Sequence, residues 1–92
     1  MHARVSSYSG DADGLTSGFD SQTEALRQVD GLKNAYFLVD RGGGKGMSIT
    51  LWESEEALKA SAEKANEMRQ QAVQPSGATI ESVGSYEVVI TV

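Results

Sequence analysis

Ninety-two residues leave room for one small core. A domain of that size buries only about 60 to 70% of the surface its unfolded chain exposes, so a second copy would add much to its stability. The absence of cysteine excludes disulfides and thiolate metal sites, and the net charge of −5 offers no basic face for a phosphate backbone, which argues against nucleic-acid binding.

The acidic excess is uneven. Residues 1–46 carry five basic and six acidic side chains, and residues 47–92 carry three and seven. The opening MHARVSSYSG has no long apolar run, so neither a secretory signal nor a membrane anchor is expected and the cytoplasm is the default location. ARVSSY, around Val5 to Tyr8, reads as a first strand ended by the turn-forming Ser9, Gly10 and Asp11. Leu15, Phe19, Leu26 and Val29 then recur at helical spacing and predict one helix from about Asp13 to Asp30, frayed or kinked before Ser21. Gly14 and Gly18 weaken its early turns, and S-Q-T-E at Ser21 to Glu24 is a capping box that offers a rival start.

KNAYFLVD (Lys33 to Asp40) and GMSITLWE (Gly46 to Glu53) predict two further strands, joined through RGGGKG as a hairpin. A helix from Glu55 to about Val73 follows, with Ser54 as N-cap and glutamates in the first turn, where the helix dipole favours negative charge. Its inward stripe is expected at Leu58, Ala62, Ala65, Met68, the stem of Arg69 and Ala72. Gln74-Pro75-Ser76-Gly77 stops it, and a last strand is expected from about Thr79 to Val92 with a bulge or bend at Gly84.

The order β-α-β-β-α-β predicts a ferredoxin-like α+β fold, a four-stranded antiparallel sheet with both helices on one face, as a single domain over residues 1–92. Tyr36-Phe37-Leu38-Val39 and Val88-Val89-Ile90 are apolar at consecutive positions, whereas a sheet with one wet face would alternate. The second face is therefore expected to be covered by another copy, in a two-fold homodimer.

Few stretches point to chemistry. GGGKG at Gly42 to Gly46 lacks the spacing and the following helix of a Walker loop and reads as a flexible turn. His2, the only histidine, has no local partners for a triad or a metal, and Glu55 and Glu56 serve the helix dipole. Trp52 is different. Alternation places Ser48, Thr50 and Trp52 on one face of their strand and Met47, Ile49 and Leu51 on the other. A large ring beside two small polar residues, under an alanine-rich helix, suits either a substrate-binding pocket or a close helix–sheet approach plugged by the ring. An even hairpin loop would bring Phe37 and Val39 to that face, and an odd one Tyr36 and Leu38.

The run SITLWESEEALKAS, preceded by an AYFLVDR strand and a glycine turn, resembles the antibiotic biosynthesis monooxygenase (ABM) domains of the dimeric α+β barrel superfamily. The order of elements extends the resemblance over nearly the whole chain, and its specific part is the W-E-S-E-E-A-L corner. It implies a homodimer whose two sheets form a barrel, with a pocket in each subunit between sheet and helices. It also implies monooxygenases that need no cofactor and oxidise phenolic or anthrone-like aromatics to quinones. Trp52 carries over as a pocket wall. Arg4, Tyr8, Tyr36 and Tyr86 are residue types such a site uses, with nothing local to fix their positions. Haem-degrading relatives share the corner but hold iron with a histidine on the following helix. Glu55 to Val73 contains no histidine, cysteine or tyrosine, only Met68, which argues against haem degradation. A non-catalytic dimeric binding or assembly module of the same fold is the alternative.

Overall fold

The computed structural model describes all 92 residues, and its architecture follows from where the strands bury alternate side chains. Strand β1 (His2–Ser9) lies inside the sheet, between β3 (Lys45–Trp52) and β4 (Thr79–Glu87), with β2 (Leu32–Asp40) at the far edge. All pairings are antiparallel, in the order β2-β3-β1-β4. This is the expected ferredoxin-like α+β sheet. No helix is long and apolar enough to cross a membrane.

The first helical segment is broken. Helix α1 spans Ala12–Asp20 and α2 spans Thr23–Arg27. The Ser21 hydroxyl donates to the Gly18 carbonyl at 2.6 Å and closes α1. It forms no capping box, and α2 starts from Gln22 without a side-chain cap. Gly18 lies where α1 meets α4, so close to the Ala72 carbonyl that a Cβ there would overlap it. Leu15 and Phe19, one helical turn apart, pack beside Tyr8, Ala72 and Val73 as the core. Each of these two large side chains contributes roughly 1.5 to 3 kcal/mol by leaving water.

The second helical segment is also divided, into α3 (Glu55–Ala60) and α4 (Ala62–Val73). Ser61 sits between them with φ −87° and ψ 0°, and its hydroxyl donates to the Leu58 carbonyl at 2.8 Å. The break resets the helical phase. Ser61 is buried and Ala62, expected to face inward, is exposed, while Leu58, Met68 and Ala72 are buried as expected. Ser54 caps α3 as anticipated, its oxygen accepting from the Ala57 N–H at 3.1 Å.

The last strand ends earlier than expected. Glu87, its last residue, pairs with His2, and Val88 N–H donates to the Met1 carbonyl. Residues beyond it have no strand in the chain to pair with, and Val89 and Ile90 are 78% and 79% exposed. The irregularity expected at Gly84 falls elsewhere: the β1–β4 register shifts between Ser7 and Tyr8, leaving Glu81 as the extra residue of β4. Gly84 keeps regular pairing with Val5 and lies beneath the Tyr86 ring.

Candidate active site

Residues 41–44 form a four-residue connection between paired Asp40 and Lys45, and this even length decides the face of β2. Phe37 pairs with Ser48, and Ala35 with Thr50, so Phe37 and Val39 share the side of Trp52. The glycine amides of the turn are already engaged: Asp40 Oδ1 accepts from the N–H groups of Gly42 and Gly43 at 3.2 and 3.1 Å. Gly44, at φ +64°, takes the left-handed conformation the turn needs.

On β1 the matching side chains are Arg4, opposite Thr50, and Ser6, opposite Ser48. Tyr8 follows, opposite Gly46. Side chains of all three strands thus converge beneath the helices on one small cavity. Ser48, Thr50 and Trp52 all line it, together with Phe37, Tyr8 and Arg4. Phe19, Met68 and Arg69 cover it from the helices, and Gln22 closes it at the α1–α2 break.

Trp52 is 1% exposed, and its indole N–H donates to Thr50 Oγ1 at 2.9 Å. Ser48 and Tyr8 share a hydrogen bond of 3.0 Å between their hydroxyls. Each pair spends one proton. The Thr50 O–H and one of the Tyr8 and Ser48 O–H groups therefore remain as donors. Phe19 meets Tyr8 edge-on at 5.1 Å and Phe37 at 5.0 Å, which fixes the aromatic side of the cavity.

Arg4 is 5% exposed and held in place. Its guanidinium lies 5.5 Å from the centre of the Trp52 ring and donates to the Leu58 carbonyl at 2.6 Å and to Ser61 Oγ at 3.2 Å. The α3–α4 break thus turns a helix carbonyl into an anchor for Arg4, and Arg4 in turn backs Trp52. Arg69 is held less tightly, with its Nε buried and without a partner. Burial, and then the charge of Arg69, lowers the Arg4 pKa. Burial also lowers that of Arg69, with Tyr8 acting in the opposite sense. Both remain charged in any ordinary buffer.

No family model matches the chain, and no curated protein matches it in sequence. Solved structures do match in shape. SnoaB, a cofactor-independent oxygenase from Streptomyces nogalater, aligns with a TM-score of 0.76 at 16% identity, over 98% of this chain and 94% of its own. A Deinococcus radiodurans protein provisionally assigned to the antibiotic biosynthesis monooxygenases aligns at 0.75 and 16% identity, over 100% and 96%. MhuD, a haem degrader from Mycobacterium tuberculosis, aligns at 0.74 and 23% identity, over 100% and 99%.

The chain has the ABM fold. Within that ABM fold, the cavity encloses about 50 Å³, room for a water or two. An apolar cavity of about 150 Å³ takes up benzene, so a ring needs side chains to move. Met68 is unbranched and flexible, and Gln22 lies at a helix break, so these two can yield most readily. Leu26 and Phe37 also border a wider groove of about 460 Å³ between α2 and β2, so these two side chains stand between the cavity and that groove.

Of the other candidate residues, Tyr36 and Tyr86 lie on the opposite face of the sheet, 51% and 59% exposed. His2 pairs across from Trp52, with Nε2 3.9 Å from Glu55. No cluster of potential metal ligands includes it. Sequence reasoning missed Gln22 entirely and took Arg69 only for its stem. A charged residue on an otherwise apolar helical stripe was the available signal for Arg69.

Proposed function

We propose that residues 1–92 form one unit of an ABM-type oxygenase that binds a small aromatic, phenolic or quinone-like compound between sheet and helices. The observation that carries this reading is the cavity itself: Trp52 and Phe37 supply aromatic walls, Thr50 and the Tyr8–Ser48 pair supply hydroxyl donors, and no carboxylate or imidazole lines it. Such a lining suits a substrate that brings its own reactivity. A bound phenol loses its proton to solvent, passes an electron to molecular oxygen, and forms a C–O bond when the radical pair recombines. The peroxide anion so formed takes a proton back from solvent, and loss of water from the hydroperoxide leaves the quinone. In this scheme the chain orients the ring, stabilises the deprotonated oxygen and excludes bulk water. Helices α3 and α4 carry no histidine, cysteine or tyrosine to hold an iron above the cavity.

The same reading makes the protein a homodimer. Leu38, Tyr36 and Tyr86 leave the outer face of the sheet apolar and open, and a second copy laid against it would cover that area.

Oxygen uptake with a panel of hydroxylated polyaromatics, without added flavin or metal, tests the proposal. Uptake that matches quinone formation supports it, and no uptake across the panel removes the oxygenase reading. One observation favours a second reading, a non-catalytic ligand-binding dimer: the cavity as it stands is smaller than any aromatic ring. Saturable binding without oxygen uptake would select that reading.

A further inference from the structure

The chain has thirteen acidic side chains and eight lysines and arginines, so a carboxylate could be found for every cation. Three ion pairs form, at Arg27, Arg41 and Lys59, all on exposed groups. Arg4 and Arg69 belong to none of them, although Arg4 is buried and Arg69 half-buried beside one cavity. Two like charges, one buried and one half-buried, with no counterion beside them, oppose folding to the extent that each is desolvated. Arg4 at least has neutral acceptors in Leu58 and Ser61. Arg69 has a buried Nε–H with nothing to receive it.

The remaining polar groups are neutral. Thr50 accepts from Trp52 and keeps its own proton to donate, and one O–H of the Tyr8–Ser48 pair is likewise unspent. These hydroxyls, and that of Ser6, keep open lone pairs as well, so the imbalance of the lining is one of charge: two guanidiniums and no carboxylate. Uncompensated positive charge beside the Trp52 and Phe37 rings specifies a complementary ligand.

We propose that the cavity selects small aromatic carboxylates, with the Nε edge of Arg69 as the seat of the carboxylate and the ring held between Trp52 and Phe37. A guanidinium edge presents two parallel N–H groups that match the two oxygens of a carboxylate. Arg4, already engaged with Leu58, Ser61 and the Trp52 ring, supplies fixed positive charge from behind. This deepens the reading of the cavity as a ligand site and rests on it.

Isothermal titration of the wild-type protein with salicylate and with salicylamide, its uncharged counterpart of the same shape, tests the proposal at pH 7. The expected result is at least tenfold tighter binding of salicylate. Arg69→Met and Arg69→Gln should abolish that preference while the circular dichroism and thermal midpoint still report a folded chain, and Arg69→Lys should restore part of it. Two variants are used so that one poorly folded protein leaves the other to decide. Equal affinity for the two compounds, or a preference that survives both substitutions in folded protein, overturns the carboxylate seat and leaves the ligand site standing. Binding of neither compound to the wild-type protein overturns both.

Discussion

Tyr8 and Ser48 depend on each other, because each hydroxyl is buried and the 3.0 Å bond between them is the one each makes through its side chain. Tyr8→Phe keeps the ring against Phe19 and removes only the hydroxyl. It is predicted to destabilise the fold by about 1 kcal/mol, read as a lower urea midpoint with an unchanged m-value. An unchanged midpoint would mean that this pair adds nothing to the fold. Arg69→Met is predicted to act in the other direction, because it replaces a half-buried cation, whose Nε is buried without a partner, with an apolar chain of similar length. The ligand-free variant should melt about 2 to 5 °C higher than wild type, and a lower midpoint would contradict the view that Arg69 is retained at a cost in stability. At this scale the sequence was informative in part. Alternation alone placed Ser48, Thr50 and Trp52 on one face. Tyr8 and Arg4 could not be located, because the β1–β3 register that sets Tyr8 opposite Gly46 and Arg4 opposite Thr50 joins residues 38 and 46 positions apart.

Gly18 tests how the helices cover the cavity. A Cβ there would meet the Ala72 backbone carbonyl, and a backbone cannot rotate aside as a side chain can. Gly18→Ala is predicted to cost about 1 to 3 kcal/mol in thermal or urea unfolding, despite alanine's better helix propensity. An increase in stability would mean that α1 and α4 are not in this close contact. Ser54→Ala separates the structural half of the W-E-S-E-E corner from Trp52. It should cost about 1 kcal/mol through the lost cap and leave ligand affinity unchanged. Order and type of elements were legible because strand alternation, turn glycines and the Ser54 cap are local signals. The interruption near Ser21 was legible as a fray or kink, from Gly14, Gly18 and the S-Q-T-E run, but the break at Ser61 was not, since it depends on a serine hydroxyl turning back to a carbonyl three residues earlier, an option every helical serine has. The end of β4 also lay outside local reading, because Val88, Val89 and Ile90 have the same β-branched character as the strand before them.

On the scale of the whole molecule, the helices cover one face of the sheet and leave the other apolar. Leu38 is 47% exposed there, near the sheet edge, and the tail beyond Val88 has no partner in the chain. Sedimentation at micromolar concentration is predicted to give twice the 9.8 kDa chain mass, and Leu38→Glu should shift the population toward monomer. A monomer mass for the wild-type protein would contradict the dimer. The cavity itself is tested most directly through Trp52, whose indole N–H is the only one in the chain and is tied to Thr50. In a ¹H–¹⁵N correlation spectrum it gives one isolated signal. Titration with salicylate is predicted to shift that signal saturably, together with the amides of Phe37 and Ser48. A spectrum in which that signal stays fixed while only outer-face residues such as Ile49 respond would contradict the account.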